Sequence, residues 1–123
     1  MDWKLELVII PVSDVDRAKA FYTDKAGFNA DHDHTVSEEI RFVQLTPPGS
    51  ACSIAIGKGL VEGEPGSVKG LQMVVADIEA ARAELVARGA DVSEINDLAW
   101  GRFVFFADPD GNGWSVQQVP SRP

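Results

Sequence analysis

Apolar and polar positions alternate along this chain in a pattern that occurs twice. Leu7 to Val12 is a short apolar run that predicts a strand. It gives way at Ser13-Asp14 to a helical spacing in which Val15, Ala18, Tyr22 and Ala26 share one face. The arrangement returns 63 positions later, where Val75-Ala76-Asp77-Ile78-Glu79-Ala80-Ala81 matches Val12-Ser13-Asp14-Val15-Asp16-Arg17-Ala18. Ile78, Ala81 and Leu85 mark the second helical face. Ser13 or Asp14 in the first copy, and Asp77 in the second, can cap the exposed N–H groups of the first turn. Both helical patterns stop at a glycine, Gly27 and Gly89, which accepts the left-handed conformation that commonly closes a helix.

The remainder of each copy predicts strands and a tight hairpin. Phe42-Val43-Gln44-Leu45 runs into Pro47-Pro48-Gly49 and then the apolar stretch Ala51 to Ile56. Val104-Phe105-Phe106-Ala107 runs into Asp108-Pro109-Asp110-Gly111 and then Trp114 to Val119, at an offset of 62. The expected order is strand 4–12, helix 14–26 and strands 28–35, 39–46 and 51–56. It repeats as strand 70–76, helix 77–88 and strands 91–95, 102–107 and 113–119. Module one is 1–57, a glycine-containing linker is 58–69, module two is 70–119 and a tail is 120–123. Half a chain of this size buries too little surface to fold alone, so the modules should share a core as one domain. The predicted class is α+β, two tandem βαβββ modules forming a cupped mixed sheet whose concave face suits a ligand.

Charge and composition narrow the partners. The chain of 123 residues carries a net charge of −8 with acids spread over both halves and no basic stripe, so no nucleic-acid partner is expected. No apolar run approaches the roughly 20 residues of a membrane helix, and the N-terminus does not read as a signal peptide. A cytoplasmic location and no membrane association are expected. Cys52 is the single cysteine and, within the apolar stretch Ala51 to Ile54, reads as a small buried thiol. Trp3 is expected to pin the N-terminus, and Phe42, Phe103 and Phe105 collectively to serve the core.

Val12-Ser13-Asp14 to Phe21-Tyr22, followed by Gly27-Phe28, resembles the opening of vicinal-oxygen-chelate proteins, and Asp108-Pro109-Asp110-Gly111-Asn112 resembles their closing hairpin. With the repeat, these motifs make the whole chain similar to the glyoxalase/bleomycin-resistance/dioxygenase superfamily. Gln44 to Ile54 resembles a group of small bacterial glyoxalase-like proteins. The resemblance implies a homodimer, with cups formed within one chain or by swapping modules between chains. It also implies a divalent metal held by histidines on first strands and glutamates on last strands. Those positions read here as Leu7, Ser53, Leu71 and Ser115, a set without a strong donor. No metal and no cofactor is therefore expected.

Other candidate chemistry is sparse. In Asp31-His32-Asp33-His34 a regular strand places both imidazoles on one face and both carboxylates on the other. Two histidines lack the third ligand of a metal site. The candidate ligand-binding residues are Gln44, Ser53, Trp100, Phe105, Trp114, Ser115 and Gln117, with His34 projecting into the cup. Aromatic walls with a few amides and hydroxyls suit a planar or cationic organic molecule. The expected function is metal-independent binding of such a molecule, with antibiotic sequestration as one form. The alternative is a lyase or dioxygenase-type enzyme with an atypical metal site at His32 or His34. No residue pair specifies a reaction, and no catalytic residue is assigned.

Overall fold

The computed structural model describes residues 1–120, so the last three residues of the tail 120–123 lie outside the described residues. The strands are β1 (Leu7–Ile9), β2 (Asn29–Thr35), β3 (Arg41–Thr46) and β4 (Ser53–Lys58) in the first module. In the second they are β5 (Lys69–Val74), β6 (Asn96–Leu98), β7 (Gly101–Ala107) and β8 (Gly113–Gln118). The helices are α1 (Val15–Ala20) and α2 (Ile78–Ala87). Each module is a four-stranded mixed sheet, ordered β1-β4-β3-β2 and β5-β8-β7-β6. The first and last strands of each module pair in parallel, and the other pairings are antiparallel.

Both helices begin as their sequence signals indicate. The Asp14 carboxylate accepts from Arg17 N at 3.0 Å, and Asp77 accepts from Glu79 N and Ala80 N at 3.0 and 3.1 Å. The first helix then departs from the expected regular run over 14–26. Phe21–Lys25 forms a π-helical turn, in which Ala26 N donates to Phe21 O at 3.1 Å. The turn accommodates one extra residue. This is why the repeat offset is 63 at the start of the helices and 62 at their terminal glycines.

In the second module the strand expected over 91–95 is irregular, and β6 covers 96–98 instead. Ser93 is the cause. Its N donates to Phe105 O, but the returning Phe105 N donates to the Ser93 hydroxyl at 2.9 Å rather than to a backbone carbonyl. The strand register also refines the repeat. Thr46 and Ser53 bracket the first hairpin as Ala107 and Gly113 bracket the second, so β3 matches β7 at 61 and β4 matches β8 at 60, not 62. Ile54 is thus the counterpart of Trp114.

One hydrophobic core serves both modules. Val43, Leu45, Ile54 and Ile56 supply one face of the first sheet, and Val104, Phe106, Trp114 and Val116 supply the matching face of the second. Ala18 and Tyr22 of the first helix, and Ile78 and Leu85 of α2, join the same cluster. Phe21 meets Phe106, while Tyr22 meets Trp114 edge-on at 5.9 Å between centroids, so the first helix bridges the modules. Trp3 does not pin the N-terminus, being 88% exposed.

Candidate functional site

Each sheet turns its other face away from this shared core, and most of the polar candidates lie there. On the first sheet this outer face carries Gln44 and Ser53, with His32 paired to Gln44 and His34 paired to Phe42 in β2. The two imidazoles stack with centroids 5.7 Å apart. The carboxylates are not both on the opposite side. A bulge between Ala30 and His32 turns Asp31 onto the histidine side, where Thr46 donates to it, while Asp33 faces the helix and binds Lys19 and Arg41. Because the Thr46 proton is committed to Asp31, the network has one direction. Gln44 Nε2 donates to Ser53 Oγ at 3.1 Å, Ser53 donates to Thr46 at 2.7 Å, and Thr46 donates to the carboxylate.

The second sheet has a parallel arrangement. Ser115 donates to Gln72 Oε1 at 3.1 Å, Gln72 Nε2 donates to Gln117 Oε1 at 2.7 Å, and Gln117 Nε2 donates to the Trp100 carbonyl at 2.9 Å. Gln72 was not legible as a site residue, because a register shift at Gly70 places it, not Leu71, opposite Ser115. Leu71 instead pairs with Trp114 and packs against the core. A one-residue slip reverses the face of every following side chain.

Aromatic residues run beside this chain of amides. Phe103 and Phe105 stack with centroids 6.0 Å apart and planes 4° from parallel, and Trp100 meets Phe103 edge-on at 6.5 Å. Phe103 is buried as a core residue would be, but Phe105 is 42% exposed and Trp100 63% exposed. Trp114 is the candidate that the fold separates from the rest. It is 5% exposed on the core side, where its Nε1 donates to the Tyr22 hydroxyl.

The donor set at the implied metal positions does not fit a divalent ion. By register, Leu7 lies opposite Ser53 and Gln72 lies opposite Ser115. Leucine has no lone pair, and the hydroxyls and amide are neutral and already engaged with one another. Among the described residues no group of three or more His, Cys, Asp or Glu side chains is placed to hold a metal.

The closing hairpin motif has a structural use that its sequence did not disclose. Asp108 Oδ1 accepts from Asp110 N and Asn112 N, while Oδ2 accepts from Asn112 Nδ2 and from the Tyr22 hydroxyl, both at 2.8 Å. Asn112 also donates to Pro11 O, and Asp110 receives Ser13 and Arg17 at the start of the first helix. These bonds clasp the second module's hairpin to the first module. Burial, and next the negative charge of Asp108, push the Tyr22 hydroxyl well above the ordinary tyrosine range.

Of the candidate residues, Ser53 and Trp114 line a cavity of about 660 Å³ together with Gln72, whereas Gln44, Phe105, Ser115 and Gln117 line neither that cavity nor the one beside Pro11 and Arg41. The second sheet's outer face is open in the single chain at Trp100 and Phe105. No helix among the described residues is long and apolar enough to cross a membrane.

Comparison with known proteins agrees with this architecture. The chain is similar to TnmS3, an antibiotic binding protein from Streptomyces sp. CB03234, at 33% identity and a TM-score of 0.86, covering 97% of this chain and 98% of that one. A glyoxalase/bleomycin resistance protein from the same Streptomyces strain is 34% identical with a TM-score of 0.80, covering 94% of this chain and all of the other. YetH of Bacillus subtilis (strain 168), described as uncharacterized, is 30% identical over 113 residues, 90% of this chain and 94% of that protein. The Glyoxalase/Bleomycin resistance protein/Dioxygenase superfamily matches residues 4–116, and the chain belongs to that superfamily.

Proposed function

We propose that the protein binds a small organic molecule on the outer faces of its sheets, without a metal, and that a second copy of the chain completes the site. The observation that carries this reading is the exposed aromatic strip of Phe105 and Trp100 beside the Gln72, Ser115 and Gln117 chain. Stacking surface next to oriented amides suits a planar ligand with hydrogen-bonding groups, and each amide nitrogen carries a second hydrogen for it. The strip is open in the single chain, so a homodimer that brings a second face over it would enclose the ligand. The likeness to TnmS3 supports an antibiotic-like ligand and sequestration as the use. The net charge of −8 favours a cationic one.

The test is a titration of the tag-free protein with aromatic and cationic antibiotics, followed by calorimetry and tryptophan fluorescence, with and without chelator. Light scattering on the same sample should give a dimer. At least one compound is expected to bind equally well with chelator present. Phe105→Ala should weaken it about 3- to 10-fold, the usual range for a lost aromatic contact. Near-stoichiometric metal that disappears in His32→Ala or His34→Ala would overturn the proposal in favour of an enzyme with a relocated metal.

A further inference from the structure

The two hairpins of the repeat occupy equivalent places but are seated very differently. The second is clasped by Tyr22, Asp108, Asn112 and Trp114, of which Tyr22 and Asn112 are wholly buried. In register, Trp114 corresponds to Ile54, and the helix repeat takes Tyr22 to Leu85. Asp108, the first residue after β7, corresponds to Pro47, and Asn112, the last before β8, corresponds to Cys52. The receiving groups change as well, with Ser13 and Arg17 matched by Ala76 and Ala80. Tyr22, Asp108, Asn112 and Trp114 thus all lack a like counterpart at the first hairpin, and both aromatic rings are replaced by smaller aliphatic side chains.

A cavity of about 660 Å³ lies at this place. Its walls include Pro47, Cys52, Ile54, Phe28, Leu85 and Met73, and Glu84 is the carboxylate of the lining. Its volume falls in the range of about 300–1,000 Å³ typical of small-molecule sites. Its lining is mainly apolar, as for sites that hold rings.

We propose that this cavity, which meets the outer faces at Ser53 and Gln72 but is lined by neither Trp100 nor Phe105, is a second ligand site that takes a neutral two-ring aromatic molecule carrying one N–H or O–H group. The molecule's own second half identifies the occupant's chemistry. At the equivalent place the fold seats an indole and a phenol edge to face, with the polar hydrogen of each hydrogen-bonded. A free aromatic molecule replaces that pair between Ile54 and Leu85, with its polar hydrogen available to Glu84. Occupation would seat the first hairpin and cover the half-buried Cys52 thiol.

The probe is 5-fluoroindole, added to the intact wild-type protein in its native oligomeric state. Its fluorine resonance should broaden and shift, with an affinity of about 0.1–1 mM, as suits a fragment of this size. Saturating probe should slow alkylation of Cys52 by iodoacetamide at least about fivefold. Leu85→Phe and Ala81→Leu each fill the cavity from α2, and whichever is folded by circular dichroism should lose both effects. Phe105→Ala on the outer face should retain them, so failure of the outer-face reading leaves this test intact. The proposal is overturned by unchanged fluorine lines at millimolar probe, by protection that survives both filling variants, or by loss of binding in Phe105→Ala alone. A Cys52 already inert in the free dimer would show a partner copy covering the cavity and would equally overturn it.

Discussion

Tyr22 is the chain's single tyrosine, and its hydroxyl both donates to Asp108 and accepts from Trp114 in the buried clasp. Burial and the Asp108 charge raise its folded pKa, whereas the unfolded chain ionises near the usual value of about 10. The contribution of Tyr22 is fully present below about pH 10 and is lost progressively as pH rises above it toward the folded value. A native-state alkaline titration should therefore show no tyrosinate absorbance until the protein unfolds, when the whole signal should appear cooperatively. A smooth rise centred near pH 10 in still-folded protein would refute the clasp. Tyr22→Phe should cost about 1–3 kcal/mol, since it leaves the carboxylate and the indole N–H each short of a partner. Sequence placed Tyr22 on the inward helix face and Asp108 in a turn. It did not disclose their bond, because the two lie 86 positions apart and nothing local encodes the pairing.

Ion pairs also fix the position of the first helix on its own sheet. Asp33 of β2 accepts from Arg41 of β3 at 3.0 and 2.9 Å and from Lys19 of α1 at 2.8 Å, and Arg41 also reaches Asp16 of α1. The bonds from Arg41 first, and from Lys19 next, hold the Asp33 carboxyl well below the usual carboxylate range. Its contribution is thus present above the unfolded value of about 3.9 and lost as pH falls toward the folded one. Asp33→Asn should lower the melting temperature at neutral pH and flatten its fall as pH drops below about 4. Parallel acid limbs for variant and wild type would show that the pairs are screened away, as exposed ion pairs often are. The same strand shows where legibility ended. Alternation correctly put His32 and His34 on one face and Asp33 on the other. The bulge that moved Asp31 is an irregularity of pairing with β3, which a strand's own residues do not announce. The shift at Gly70 exchanged Leu71 for Gln72 in the same way.

At the scale of the whole molecule, the repeat made the architecture readable while the differences between its copies were not. Each sheet with its helix is a complete βαβββ unit, yet neither buries its apolar side alone. The Phe106 and Trp114 side of the second module is covered by Phe21, Tyr22 and Phe28 from the first. The linker adds to the union. Val68 N donates to Asn112 Oδ1 at 3.1 Å, and Gly66, at φ +85°, passes so close to Asp110 that an added Cβ would lie 2.0 Å from its carbonyl oxygen. The Gly59 to Glu64 part lies before these contacts, so a protease site placed there should be cut without freeing the halves. The two fragments should co-elute and melt in one transition near that of the uncut protein. Module two made alone should remain unfolded, since it exposes the aromatic surface that the first module covers. An isolated 66–120 fragment with a cooperative melt would show instead that each module carries its own core, and that the clasp only docks two finished units.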